Sequence, residues 1–346
     1  MRDYTPLART KIFAMWAADL AAGETLICRS IKAATIGKYL ADAGKFIAGF
    51  TGEDPRFKSR SDLQLHPLIK GVLAEVTRYE QVPDKREPHT PAMQQWLSDT
   101  ASTRGHDDLA SAMADWCAVG LVLGPRISEW GQDDGMTDPL QPKRAPTGST
   151  CAFTWNDVEV RLMGNRRVPT VAALGDDIRN IESVTVTFTW QKNGNHGEKK
   201  LLVRNDATTG LCPVRTFLRI LARFQRLLGV DHLTAPLAIY AGPLGRPTSI
   251  TASNVAHFLR MAAAAVYGID PSTPVGRTDI MRWSSHSLRV GACVILHVNG
   301  FSSSEIQFLL RWKSDAFMQY LRNLGTLSRK QNAALSTTDG FMPNLI

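Results

Sequence analysis

Ser284–Arg322 reads SSHSLRVGACVILHVNGFSSSEIQFLLRWKSDAFMQYLR. Ser284 and Ser285 are helix-capping residues, and Gly300 is a stop, so the spacing predicts a helix from about His286 to Asn299. His286 and Arg289 then lie one turn apart on one face of its first turns. Ser302-x-x-Glu305 is a capping-box pattern for a second, shorter helix carrying Ile306, Phe308, Leu309 and Leu310. Trp312 follows, and Tyr320 comes eight residues later on a last turn or two before Gly325. His, Arg and Tyr are the side chains with which a protein can cut a phosphodiester without a metal. Arg neutralises the phosphate, His moves a proton or donates a hydrogen bond, and Tyr attacks. Singly, each has a plainer reading: His286 as a helix-start residue, Trp312 as core, Tyr320 as a half-buried core residue after a Phe-Met run.

Upstream, residues 7–22 read as a helix stopped at Gly23. Residues 35–50 place Ile36, Tyr39, Leu40, Ala43, Ile47 and Phe50 at helical spacing, with Lys38 and Lys45 off that stripe. A third helix begins at Pro67, with Ile69, Val72, Leu73 and Val76 as its apolar side. Residues 1–82 thus form a small all-helical unit. Val82–Pro91 holds three prolines among charges and is the linker candidate, 83–91. Thr90-Pro91 caps a new helix, and Asp107 starts another running to Leu123.

Gly124-Pro-Arg-Ile-Ser-Glu-Trp130 restarts a helix at Pro125, with Arg126 and Glu129 one turn apart. An arginine held by a glutamate is preorganised to offer its fork to a phosphate, although a surface ion pair reads equally well. Residues 131–150 are a long polar loop. Phe153–Val160 and Val184–Trp190 are strand-like, and 161–182 is irregular. Gln191–Gly197 is turn chemistry, and Lys199–Val203 returns as partner strand, which puts Lys192 at the hairpin tip. Pro213 opens an amphipathic helix with Phe217, Ile220 and Phe224 on one side and Arg215, Arg219, Arg223 and Arg226 on another. Such a stripe suits a DNA backbone and suits solubility equally. Asn254 caps a further helix, and 268–278 reads as loop.

The 346 residues carry 40 Lys+Arg against 32 Asp+Glu, a formal +8, which favours a polyanionic partner. Five dispersed cysteines without a C-x-x-C pair read as reduced core thiols. No stretch has the roughly 18 apolar residues of a membrane span, and MRDYTPLART lacks a signal-peptide core. The expected setting is intracellular. His196, His257 and His297 lack metal-ligand spacing.

In chain order, Arg126-x-x-Glu129, Lys192 at a hairpin, His286-x-x-Arg289, Trp312 and Tyr320 resemble the catalytic set of the tyrosine recombinases, the phage-integrase family. HSLRVGA followed by RWKSDAFMQY is most similar to recombinases of crypton- and DIRS-type eukaryotic mobile elements. The resemblance implies a mainly α fold with a small antiparallel β-sheet: a helical, SAM-like core-binding domain at 1–82 and an α+β catalytic domain at 92–346, whose tail is about 326–346. It implies that Arg126 and Arg289 bind the scissile phosphate, that Glu129 supports the first arginine, and that Lys192 protonates the leaving 5′ oxygen. His286 does acid–base work, Trp312 donates a hydrogen bond, and Tyr320 is the nucleophile of a 3′-phosphotyrosine intermediate. Lys38, Lys45, Arg215 and Arg219 are further DNA-binding candidates. Arg311 stands where the family usually has Gly, and Lys199 or Lys200 could take the place of Lys192.

The implied function is site-specific recombination of double-stranded DNA for integration or excision of a mobile element. It implies no cofactor, metal or membrane, a homotetramer on two DNA sites, and residence with DNA, in the nucleus of a eukaryote or the cytoplasm and nucleoid of a prokaryote. Two alternatives stay open: a domesticated DNA-binding protein that no longer cuts, and a relaxing enzyme of the type IB topoisomerase kind.

Overall fold

The structure is a computed structural model that describes residues 4–24, 31–58, 62–79, 86–175, 177–191, 194–206, 211–312, 317–318 and 321. It divides into two compact units, Met1–Asp84 and Lys85–Ile346. The architecture is mainly helical with small antiparallel sheets. Among the described residues no helix is long and apolar enough to cross a membrane.

In the first unit, α1 (Pro6–Ala22), α2 (Ala33–Thr51) and α3 (Pro67–Tyr79) enclose Phe13, Ala17, Leu20, Ile36, Leu40 and Ile69. Thr5 caps α1 and Gly23 ends it at φ 80, the left-handed cap that glycine adopts without strain. The expected stripe of α2 is only partly inward. Ile36 and Leu40 are buried, whereas Phe50 is mostly exposed and stacks edge-on with Phe46. Three helices bury one narrow seam of α2, and Phe50 lies beyond it, one residue before the helix ends. Lys38 and Lys45 are exposed, as their position off the stripe required.

In the second unit, α4 (Pro91–Ser102) is capped by Thr90, and α5 (Leu109–Leu123) by Asp108 rather than Asp107. α5 is buried almost all round, from Ala110 to Leu123, and is the central rod of the fold. Next comes the irregular stretch 130–154, pinned by single bridges at Gln132–Thr251, Arg144–Thr150 and Thr154–Pro236.

A four-stranded antiparallel sheet follows in the order β2-β1-β3-β4: β1 is Val158–Leu162, β2 Arg166–Val168, β3 Ile181–Phe188 and β4 Glu198–Val203. Both long strands sit displaced from their expected positions. Trp155–Asp157 forms a 3-10 turn, because Asp157 caps Thr154 through both its backbone N–H and its hydroxyl, so β1 starts only at Val158. β2 and the single-turn α6 (Thr170–Ala173) occupy a segment with no alternation to reveal them. Val184, Val186 and Phe188 face inward, paired with Leu202, Lys200 and Glu198 of β4.

The helix α7 (Pro213–Leu227) covers that inner face with Phe217, Ile220, Leu221 and Phe224. After it come the two-stranded pair β5 (Ile239–Ala241) and β6 (Pro247–Ser249), then α8 (Ala252–Tyr267). Thr251 is the cap of α8; Asn254 sits three residues on and closes the capping box by accepting the Thr251 N–H. Residues expected as loop contain α9 (Pro274–Ile280), capped by Thr273 with Pro at its first position. The chain then runs through α10 (His286–Val298) and α11 (Ser303–Leu310), the latter with its expected capping box.

The proline-rich stretch before Pro91 is a strap on the second unit wherever it is described. The Glu87 and His89 N–H groups donate to the carbonyls of Arg282 and Ser287 at 3.2 and 2.9 Å, and the Trp283 indole donates to Pro88 at 3.2 Å. Gly291 of α10 makes this possible, since a Cβ there would lie 2.2 Å from the His89 carbonyl oxygen. His89 is wholly buried, and its Nε2–H donates to the Gln94 amide oxygen at 3.0 Å. Burial pushes its pKa from the ordinary 6.5 down to about 4, against a smaller opposite pull from Gln94. The folded protein thus binds a proton less readily than the unfolded chain. Stability is full above about pH 6.5 and lost as pH falls toward about 4, by about 3 kcal/mol. Urea unfolding at pH 7 and pH 4.5 is expected to show this difference in the wild type and to lose most of it in His89→Gln. An unchanged pH step in the variant would count against His89 as its source.

Candidate active site

The site is assembled around the end of α5. Gly124 terminates that helix with φ 52, a left-handed conformation that favours glycine, and a Cβ there would sit tightly against Leu310 at 3.0 Å. Pro125 follows, and Arg126 is extended, not helical. Only a single 3-10 turn forms, Ile127–Glu129, with Arg126 as its cap. The turn is anchored by the next residue, Trp130, buried flat against Trp116 of α5 with ring centroids 4.9 Å apart.

This places the Glu129 carboxylate, which is entirely buried, between two arginines. Its Oε1 accepts from Arg126 Nη1 at 2.9 Å. Its Oε2 accepts from the Arg126 backbone N–H at 3.0 Å and from Arg311 Nη2 at 3.1 Å. The Arg126 side chain remains 30% exposed. A guanidinium held by a buried carboxylate and still reaching solvent can meet an anion from outside.

α10 packs against α5 through Leu288, which fills the space above Gly120. Arg289 is buried as a result. Its Nη1 donates to the Gly124 carbonyl at 2.5 Å and its Nη2 to the Leu310 carbonyl at 3.1 Å. The guanidinium lies over the Trp312 ring, 4.1 Å from its centroid. Trp312 in turn packs on Ala292, Cys293, Ile306, Leu310, Phe317 and Leu321, and its backbone N–H donates to Gln307. The tryptophan is therefore both part of a small core and the floor beneath an arginine.

His286 stands one turn before Arg289 at the start of α10. Burial lowers its pKa below the ordinary 6.5, and the positive charges of Arg289, Arg86 and Arg126 lower it further. The imidazole is accordingly neutral at pH 7 and able to accept a proton. Two of these cations, Arg289 and Arg126, are site candidates, and the third, Arg86, lies in the proline-rich strap. Arg86 is held there by donating from Nη1 to the Met281 carbonyl at 2.8 Å.

Arg126, Glu129, His286, Arg289 and Trp312 are thus brought together. Lys192 and Tyr320 lie outside the described residues. The pleat separates the other two hairpin lysines. Lys199 faces outward, whereas Lys200 shares the inner face with Val186. Lys200 Nζ pairs with Glu198 at 3.0 Å, donates to the Phe308 carbonyl at 2.8 Å and lies over the Phe308 ring. Lys200 is committed to β4 and α11.

The arginine stripe of α7 has internal partners. Arg219 and Arg223 share Asp115 at 2.7 and 2.6 Å, and Arg226 pairs with Asp107 at 2.6 Å. Arg215 is exposed and, with Arg219, lines a separate cleft of about 590 Å³ beside Gln94, Leu121 and Cys212. Lys38 and Lys45 belong to the first unit. The residue that sequence reasoning missed is Arg311, noted only as a departure from glycine. Its one sequence signal was a lone charge inside Leu309-Leu310-Arg311-Trp312.

No protein-family model matches the chain, and no curated protein matches it. Among solved structures it is similar to the Tn1549 transposon integrase in complex with transposon right-end DNA. The TM-score is 0.48 at 14% identity, over 95% of this chain and 85% of that one. It is also similar to XerA recombinase, with a TM-score of 0.38 at 12% identity over 95% and 99% of the two chains.

Proposed function

We propose that this chain cuts and rejoins double-stranded DNA as a tyrosine-type site-specific recombinase acting for a mobile element, in the manner of crypton and DIRS elements. The observation that carries the reading is the convergence of Arg126 and Arg289 on the end of α5, with Trp312 beneath Arg289 and His286 one turn before Arg289 on α10. Two fixed guanidinium groups and a neutral imidazole are what a phosphodiester needs when its charge grows in the transition state. The DNA bound by the Tn1549 integrase is consistent with the partner.

In this reading the Tyr320 hydroxyl loses its proton to neutral His286 or to solvent and its oxygen bonds to phosphorus. The P–O5′ bond breaks, and Lys192 delivers a proton to the departing oxygen. The product is a 3′-phosphotyrosine and a free 5′ hydroxyl. Attack by an incoming 5′ hydroxyl reverses these events, so the phosphodiester bond energy is retained. Arg126 and Arg289 hold the non-bridging oxygens throughout, and the Trp312 indole can donate to one of them.

The test uses nicked duplexes drawn from the source genome, whose short cleaved strand diffuses away and traps the intermediate. A covalent protein–DNA adduct, mapped to Tyr320 by peptide mass spectrometry, is expected. Salt-sensitive binding with no adduct would replace the reading with a binding protein. Relaxation of any supercoiled plasmid whatever its sequence would replace it with a topoisomerase.

A further inference from the structure

Arg311 is the last residue before Trp312 and sits at φ 58, ψ 44, a left-handed conformation that residues other than glycine rarely adopt. Glycine would close α11 there without strain. The arginine instead sends its side chain completely inside the protein. Nη1 donates to the Leu123 carbonyl at 3.2 Å, Nη2 to Glu129 at 3.1 Å, and the guanidinium carbon lies 3.4 Å from the centroid of the Phe188 ring. An unusual backbone and a buried charge at one residue mean that the surroundings determine both, and such positions cluster at functional sites.

We infer that Arg311 is a positioning residue, which fixes Arg126 through Glu129 and ties the approach to Trp312 onto the end of α5. The inference rests on the function proposed above. Glu129 has one oxygen on each arginine side chain, and Oε2 also holds the Arg126 backbone. A carboxylate gripped only by Arg126 could rotate with it; gripped from the far side as well, it is a fixed post. The two buried arginines are also interleaved. Arg289 holds the carbonyls of Gly124 and Leu310, and Arg311, the residue after Leu310, holds the carbonyl of Leu123. The ends of α5 and α11 are thereby stapled twice, so the segments carrying Arg126 and Trp312 keep a common frame. Small misplacement of such groups is costly to a reaction that depends on alignment.

The full chain with Arg311→Gly tests this, because glycine suits the backbone and removes only the side chain. Arg311→Lys keeps a charge but cannot span Leu123 and Glu129, and it carries the test should the glycine variant not fold. On nicked duplex at saturating protein, adduct formation is expected to slow on the order of 100-fold in Arg311→Gly, with DNA affinity unchanged. Arg311→Lys is expected to fall between this variant and the wild type. Modification of Arg126 by phenylglyoxal, followed by peptide mass spectrometry, is expected to quicken severalfold while that of buried Arg223 does not, which separates loosening of Arg126 from unfolding. Wild-type cleavage in Arg311→Gly, or an unchanged Arg126 modification rate, overturns the inference. If the wild type itself forms no adduct, the cleavage reading fails separately, and the modification rate alone decides the positioning role.

Discussion

Arg289→Ala is expected to slow covalent adduct formation by on the order of 100- to 1000-fold while DNA affinity stays within a few-fold of wild type. Arg289 is buried and fixed by two carbonyls and the Trp312 ring, so it adds little to the surface charge that first attracts DNA. In the proposed reaction its electrostatic work would fall on the phosphate, where charge develops during attack and low dielectric makes each fixed donor worth more than in water. The measurement is single-turnover cleavage of nicked duplex, with fluorescence anisotropy for binding. Arg289→Lys should recover little, because a single ammonium cannot hold both the Gly124 and Leu310 carbonyls in one plane. Cleavage and binding falling together would mean that Arg289 is a docking contact, not a transition-state donor.

Glu129→Ala is expected to destabilise the second unit by about 3–5 kcal/mol, because it leaves buried Arg311 without its carboxylate. The partly exposed Arg126 can turn to water, so most of the cost arises at Arg311. Glu129→Gln keeps the shape and one acceptor oxygen, and its loss should be clearly smaller. Chemical denaturation followed by tryptophan fluorescence provides the comparison, since Trp116 and Trp130 stack in the same core. A cost below about 1 kcal/mol for Glu129→Ala would mean that the pair behaves as a surface ion pair.

Several parts were legible before any fold was known. The capping box Ser302–Glu305, the stops at Gly23 and Gly300, and the Pro67, Pro91 and Pro213 starts are local chemistry, and local chemistry is written in neighbouring residues. The hairpin around Gly194 and Gly197 was legible for the same reason. Two errors arose where a distant partner overrode local preference. Arg126-x-x-Glu129 reads as one helical turn, but Trp130 must stack on Trp116, which leaves only a 3-10 turn and an extended Arg126. Arg215 to Arg226 reads as one basic stripe. Asp115 and Asp107, about a hundred residues earlier, draw in three of its four members.

By itself the sequence determined which residue types are present and in what order, and that was enough to single out Arg126, Glu129, His286, Arg289 and Trp312. Only the tertiary structure decided how they are held. No periodicity announces that Arg289 grips the carbonyl of Gly124, the cap of α5, or that the misfit Arg311 is the far anchor of Glu129. Burial is the physical reason. Once charged groups leave water each must find a specific partner, and those partners are chosen by three-dimensional packing among residues more than 160 positions apart.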